Sequence, residues 1–584
     1  MSQYASLTGP TLLPARFSIG YHQCKWNYKS EQEIEELDAN FDKFNIPYDV
    51  SWLDIEHTDG KRYMTWDKAH FPDPKRMIDN VASKGRRMVT IVDPHLKRDS
   101  GYSVHDAASK QGHYIKDRNG NEYDGWCWPG SSSWPDFLSP KVRDWWASLF
   151  DYKTYIGSTP NLMIWNDMNE PSVFNGPEVT MHKDALHFDN WEHRDVHNLY
   201  GMTVHAATHK GLLQRNGPVE QTRAFVLSRA LFAGTQRFGA IWTGDNAAEW
   251  SHLRASMPMV MSLGLSGIAF SGADVGGFFG NPDGELLSRW LQVGAYQPFF
   301  RGHAHLDSKR REPWVYEEPY LSAQREAIRA RYVIMPYLYT LFFEASRTGV
   351  PVMRPLWMEF PSQADLFAEE DEFMLGEALL AHPVTSAGAT SVAPRFPAGT
   401  VWRRFDTSLR LAAATEEAPL ARGLPVWQRG GTIVPRMERL RRSTHQQLHD
   451  PITLSVVLDE HGSARGVLFW DDGITVNAAH IYRVFEATQS KSLRCHADAD
   501  IAGTPGYASG LMVERIRVAG LVRYKQKKKN FWHISFFFFF FQTRPPTVVR
   551  HGSESLQFEW TLDGVLVVRK PHLSVDKDWE IQFE

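Results

Sequence analysis

The feature that most constrains this chain is a rhythm between residues 17 and 305. Eight short apolar runs each end in polar residues, and most are followed by a helical pattern. The runs are FSIGY (17–21), YDVSWLDI (48–55), RRMVTIVDP (86–94), LMIWNDMN (162–169), AFVLSR (224–229), AIWTGD (240–245), GIAFSGAD (267–274) and FFRGHAH (299–305). Between them stand EQEIEELDANFDKF, DPKRMIDNVASKG, SPKVRDWWASLF and HRDVHNLYGMTVHAATHKGLL, which carry helical patterning. The link from 229 to 240 is too short for a full helix, so that unit should be irregular. Strands alternating with helices argue for a parallel sheet, and eight units over about 300 residues argue for a (β/α)8 barrel. An open doubly wound sheet should instead show a Gly-rich phosphate loop after an early strand, and the sequence has none.

The texture changes after the barrel. Residues 320–349 predict one or two long helices. From about 356 come short β-like runs, ALLAHPVT, PVWQRGGTIVP, ITLSVVLD and GVLFWDDG, separated by Gly and Pro turns. The expected layout is a catalytic barrel with terminal helices over 1–355, a proximal β-sandwich over 356–440 and a distal β-sandwich over 441–584. Residues 524–546 stand apart, with a lysine cluster followed by six phenylalanines, Phe536 to Phe541. They read as an insertion poorly integrated with its domain; a basic, apolar membrane contact is the alternative.

Composition narrows the function. A net charge of −4 gives no footprint for nucleic acid or an anionic membrane. Cys24, Cys127 and Cys495 are too few and too scattered for a disulfide framework or a zinc site. The first residues lack the basic and apolar regions of a leader, and no run is long enough to span a membrane. The 21 tryptophans suit a large core, or a pocket whose flat rings pack on the C–H faces of a sugar.

In a barrel of this kind the C-terminal strand ends open into one mouth. Here those ends carry Asp54 and Glu56, Asp93 and His95, Asp167 and Glu170, Arg229, Asp245, Asp274, and Arg301 with His303. Each acid alone could be a helix N-cap; seven such ends together favour a pocket. Two carboxylates facing one pocket suit cleavage of a glycosidic bond, one attacking or stabilising the anomeric carbon and the other protonating the leaving oxygen. Asp167 and Asp245, two strands apart, are the candidate pair. Spacing alone does not decide between retention and inversion.

The string WNDMNEP at 165–171, with WTGDN at 242–246, resembles glycoside hydrolase family 31. WLDIEHTDGKRY from 52, WCWPG at 126–130, ADVGGFFGNP to 282, AYQPFFRGHAHLD at 295–307, REPW at 311–314 and PVMRPLW at 351–357 extend the resemblance, which is strongest to the neutral α-glucosidase branch. The resemblance implies a (β/α)8 barrel followed by C-terminal β-sandwich domains and a retaining exo-α-glucosidase needing no cofactor or metal. It makes Asp167 the nucleophile and Asp245 the general acid/base, with Glu170 holding geometry beside Asp167. Asp54, Ile55, Arg229, Asp274, Arg301 and His303 would bind the terminal glucose, and Trp128, Trp165, Met168, Trp242 and Phe278 would shape its pocket. Arg229 is expected to lower the pKa of Asp167, and burial to raise that of Asp245. The implied substrate is an oligosaccharide, the glucose-capped N-glycan first and α-1,4-glucans second. The implied partner is a regulatory β subunit as in glucosidase II, and the implied location the endoplasmic-reticulum lumen.

Members of that family normally carry a β-sandwich before the barrel, one loop of which walls the sugar site. Here the barrel starts almost at once, so a chain without that domain is expected. The rival readings are a metal hydrolase using Asp93, His95, His303 and His305, a non-catalytic sugar-binding protein, and a sister specificity such as α-xylosidase or a lyase.

Overall fold

In the computed structural model the described residues are 1–217, 221–406, 408–521, 523–531, 534–542 and 545–584; for 523–531 and 534–542 only the backbone is described. Eight strand positions form a ring. They are β1 (His22–Gln23), β2 (Val50–Leu53), β3 (Arg87–Ile91), β4 (Leu162–Asn166), β5 (Val226–Ser228), β6 (Ala240–Trp242), β7 (Ser271–Gly272, continuing as Asp274–Val275) and β8 (Arg301–Gly302). Every neighbouring pair is parallel. The ring closes through β7, whose first half pairs with β6 and whose second half pairs with β8. Close approach forces glycine there: a Cβ on Gly272 would lie 2.1 Å from the carbonyl oxygen of Phe299.

The helices follow their patterns. Ser30 Oγ accepts the Glu33 N–H at the start of helix Glu31–Lys43, and Asp73 Oδ1 accepts the Arg76 N–H ahead of Pro74–Ala82. The link between β5 and β6 holds only a short 3-10 turn, Thr235–Arg237. The first run needs correction. Phe17 and Ile19 lie in a buried 3-10 turn, Arg16–Ile19, and the strand begins at His22. Both apolar side chains are buried, so the run is apolar without being extended.

The barrel interior is aromatic. Trp52 meets Trp165 and Phe225 edge to face and Phe299 tilted, Trp165 meets Trp242 edge to face, Phe225 stacks on Phe299, and Trp52 Nε1–H donates to His22 Nδ1 at 3.1 Å. Helices Tyr320–Val333 and Met335–Thr348 then lead into the C-terminal β-sandwich region. A five-stranded antiparallel sheet runs from Met353–Arg354 to Val426–Arg429, and an eleven-stranded sheet from Thr432–Arg436 to Trp579–Phe583. Phe343 stacks on Phe469 with centroids 3.9 Å apart, and Asp471 accepts from Tyr339 Oη–H at 2.7 Å and pairs with Arg223. These contacts join the underside of the barrel to the large sheet. Among the described residues, strands Arg523–Phe531 and Ile534–Gln542 pair antiparallel with each other and with no other strand. The lysine cluster and the six phenylalanines fall on it, and their side chains are outside the described residues. Among the described residues no helix is long and apolar enough to cross a membrane.

Candidate active site

A cavity of about 270 Å³ opens at the C-terminal ends of the strands. Asp54 and Ile55 reach it from the end of β2, Trp165, Asp167 and Met168 from β4, Arg229 from β5, Asp245 from β6, Phe278 from the loop after β7 and His303 from β8, while Trp128 closes one side. It is smaller than the roughly 300–1,000 Å³ of common ligand pockets, a size for one sugar ring rather than a chain.

Arg229 organises the acids. Its Nη1 lies 3.1 Å from Asp167 Oδ1 and 3.8 Å from Asp245 Oδ2, while its Nε and Nη2 grip Glu170 at 2.7 and 3.1 Å. Sharing one nitrogen holds the Asp167 and Asp245 oxygens within about 7 Å of each other, compatible with the paired carboxyl groups of glycosidases. Glu170 is the partner of Arg229 and does not line the cavity. The nucleophile candidate is tightly held. Its Oδ1 accepts the Met168 N–H at 2.8 Å, and Met168 takes a left-handed backbone with φ of 56°.

Burial pushes the Asp167 carboxyl up to about 6; the Arg229 cation pulls the other way, and Glu170 and Asp245 add to the rise. This corrects the expected direction for Asp167: Arg229 opposes the shift but does not reverse it. Burial also raises Asp245, against the pull of Arg229. Asp54, largely buried at the cavity wall, is driven by burial to about 8, although the Ile55 N–H it accepts at 2.7 Å favours its anion. Burial, helped by the Arg301 cation, holds His303 well below its ordinary range, so it is neutral.

Besides Glu170, three predicted residues, Trp242, Asp274 and Arg301, stand behind the cavity wall rather than on it. Arg301 donates to Asp274 Oδ1 from Nε (3.2 Å) and Nη2 (2.7 Å), and its guanidinium packs over Trp52, Trp165 and Trp242 at 4.9, 4.8 and 5.2 Å. Among the described residues, Asp274 Oδ2, Arg301 Nη1, His303 Nδ1 and the indole nitrogens of Trp165 and Trp242 have no protein hydrogen-bond partner. Each of those atoms is itself buried.

Trp26, Ser172, Phe174, Phe279 and His305 also line the cavity and were not singled out as sugar contacts. Trp128 meets Trp26 at 5.2 Å and Phe174 at 4.8 Å, and His305 meets Trp26 and Phe279 at 5.2 and 5.3 Å. These are loop residues without periodicity; the available signal was their position a few residues past a strand end. Asp93 and His95, considered above as metal ligands, instead bond Tyr63 beneath Asp167. Among the described residues no group of three or more His, Cys, Asp or Glu is arranged to hold a metal ion.

A closed parallel barrel with two carboxylates converging on a one-ring pocket is an arrangement compatible with glycosidic-bond cleavage. Residues 11–341 match the glycosyl hydrolases family 31 TIM-barrel domain and residues 349–434 the family 31 C-terminal domain, so the chain belongs to glycoside hydrolase family 31. It is 52% identical over 591 residues to neutral alpha-glucosidase AB of Dictyostelium discoideum, covering 100% of this chain and 60% of that one. A crystal structure of glucosidase II alpha subunit in an alpha3-Glc2-bound form superposes with a TM-score of 0.92 at 42% identity, covering 100% of this chain and 63% of that one. The catalytic subunit in an ER glucosidase II heterodimeric complex, with the binding domain of its regulatory subunit, gives 0.91 at 43%, with 100% and 63% covered. The chain thus spans about 60% of the length of the curated relatives it matches.

Proposed function

We propose that the chain is a retaining, exo-acting α-glucosidase. The observation that carries this reading is the single guanidinium, Arg229, shared by Asp167 and Asp245 at the mouth of a one-ring cavity. A bound terminal glucose stacks against the aromatic walls and gives its hydroxyls to Asp54 and His303, while the buried Asp274–Arg301 pair supports the wall behind them. An Asp167 oxygen attacks the anomeric carbon while the Asp245 carboxylic acid gives its proton to the departing glycosidic oxygen. The Asp245 carboxylate then takes a proton from water as that water attacks the same carbon. The Asp167–glucose ester breaks, and glucose leaves with its configuration kept. Burial of Asp245 supports its role as an acid, and Arg229 supports an ionised Asp167.

A rice relative's name, probable glucan 1,3-alpha-glucosidase, and the alpha3-Glc2 ligand of a similar structure favour α-1,3-linked glucose as substrate; we take the glucose-capped N-glycan as its first candidate source and α-1,4-glucans as the second substrate class. By the same likeness we assign a regulatory β subunit as partner and the endoplasmic-reticulum lumen as location. The test is hydrolysis of p-nitrophenyl α-glucoside, glucosylated high-mannose glycan and maltose. Activity should fall by about 10³-fold or more in Asp167→Asn, and the glycan should be cut in preference to maltose. A wild type that binds glucose without cleaving any of the three substrates would contradict the reading.

A further inference from the structure

The pairing of β3 with β4 does not stop where the strands do. The register runs Met88 with Leu162 to Ile91 with Trp165, and Val92 N–H still donates to the Trp165 carbonyl at 2.8 Å. Beyond that, side chains take over the ladder. Asn166 Nδ2–H donates to the Val92 carbonyl at 2.8 Å, and the Asp167 backbone N–H donates to Asp93 Oδ1 at 3.2 Å. Asp93 is 0% exposed. Its other oxygen is fixed by Tyr63 Oη–H at 2.5 Å, and Tyr63 is itself bonded to His95 Nε2 at 2.9 Å. The backbone just past Asp167 is the left-handed Met168, a conformation that persists only when its surroundings enforce it.

We propose that Asp93 is a positioning residue for Asp167: its Oδ1 stands in for the missing strand carbonyl and clamps the nucleophile's N–H, with Tyr63 and His95 holding the clamp. The inference rests on the α-glucosidase reading for its kinetic consequence, but the clamp itself is a property of the fold. An Oδ1 acceptor serves whether or not the carboxyl carries a proton, so an amide supplies the same acceptor, whereas a methyl group supplies none.

The experiment compares wild type, Asp93→Ala, Asp93→Asn and Tyr63→Phe. Steady-state kinetics on p-nitrophenyl α-glucoside are paired with deuterium exchange of the Asp167 amide, read from overlapping peptides. Asp93→Ala should lower kcat by about 10²-fold, because a misplaced reactive group costs rate, while KM changes by less than about threefold. Its Asp167 amide should exchange faster. Asp93→Asn should restore both readouts, and Tyr63→Phe should fall between. If Asp93→Ala does not fold, the comparison of Tyr63→Phe with Asp93→Asn carries the same test. Unchanged exchange in Asp93→Ala, or an Asp93→Asn as impaired as the alanine variant, would overturn the clamp. A wild type without glucosidase activity would remove the proposed function while leaving the exchange measurement to decide the clamp alone.

Discussion

At the scale of residues, Arg229 sets the charge state of the site. It opposes the rise that burial imposes on Asp167, so the carboxyl sits near 6 and becomes an anion above that pH. The acid limb of kcat/KM should therefore lie near pH 6. Replacing Arg229 with Gln removes the cation, raises Asp167 further and should move that limb to higher pH; an unmoved limb would show that another group titrates there. Asp54 gives a second prediction. Its folded carboxyl is raised from 3.8 to about 8, so the folded state holds the proton more tightly than the unfolded chain, and stability falls as pH rises through that window. Asp54→Asn should be more thermostable than its parent at pH 8, with the advantage shrinking towards pH 4, while activity drops because a sugar contact is lost. Thermal melts at the two pH values check this. Most residues around the cavity were legible because a strand end fixes where a side chain goes, as for Asp167 after LMIWN and Asp245 after AIWTG. Glu170 and Arg301 look the same in sequence, yet one turns to Arg229 and the other sinks among three tryptophans. Nothing in a linear pattern separates a wall residue from the one supporting it.

At the scale of elements, the barrel strands are short, and the chain between them does much of the shaping. The parallel ring was readable from its repeated apolar runs, but the first run misled because Phe17 and Ile19 are buried in a 3-10 turn. Burial pattern and extended backbone part company wherever a turn plugs a barrel end. The loop after β7 shows the opposite case, where glycine is dictated by geometry. Gly277 has φ of 78°, and a Cβ there would sit 2.3 Å from the Ala248 nitrogen. Gly277→Ala should cost more than about 1 kcal/mol of stability. It should also raise KM, because the loop carries Phe278 into the cavity. Denaturant melts and kinetics on the same preparation test both.

At the scale of the whole molecule, the barrel and the large C-terminal sheet are locked through buried charge. Asp471 receives Tyr339 and Arg223, and the Arg16 guanidinium lies 4.3 Å above the Trp470 ring. Asp471→Ala strands Arg223 without its anion and should destabilise the protein by about 3–5 kcal/mol, seen as a lower unfolding midpoint; no change would mean that the two parts are held by apolar packing alone. The proposed reaction likewise joins distant parts of the chain: Asp167 after one strand attacks the anomeric carbon, and Asp245 after another protonates the oxygen leaving it. Its most direct test is to trap the intermediate with a slowly turned-over fluorinated α-glucosyl donor and to map the label by peptide mass spectrometry. The account predicts one glucosyl adduct, on Asp167, that accumulates and then decays. A label on another carboxylate, or hydrolysis that inverts the anomeric centre with no adduct, would contradict it.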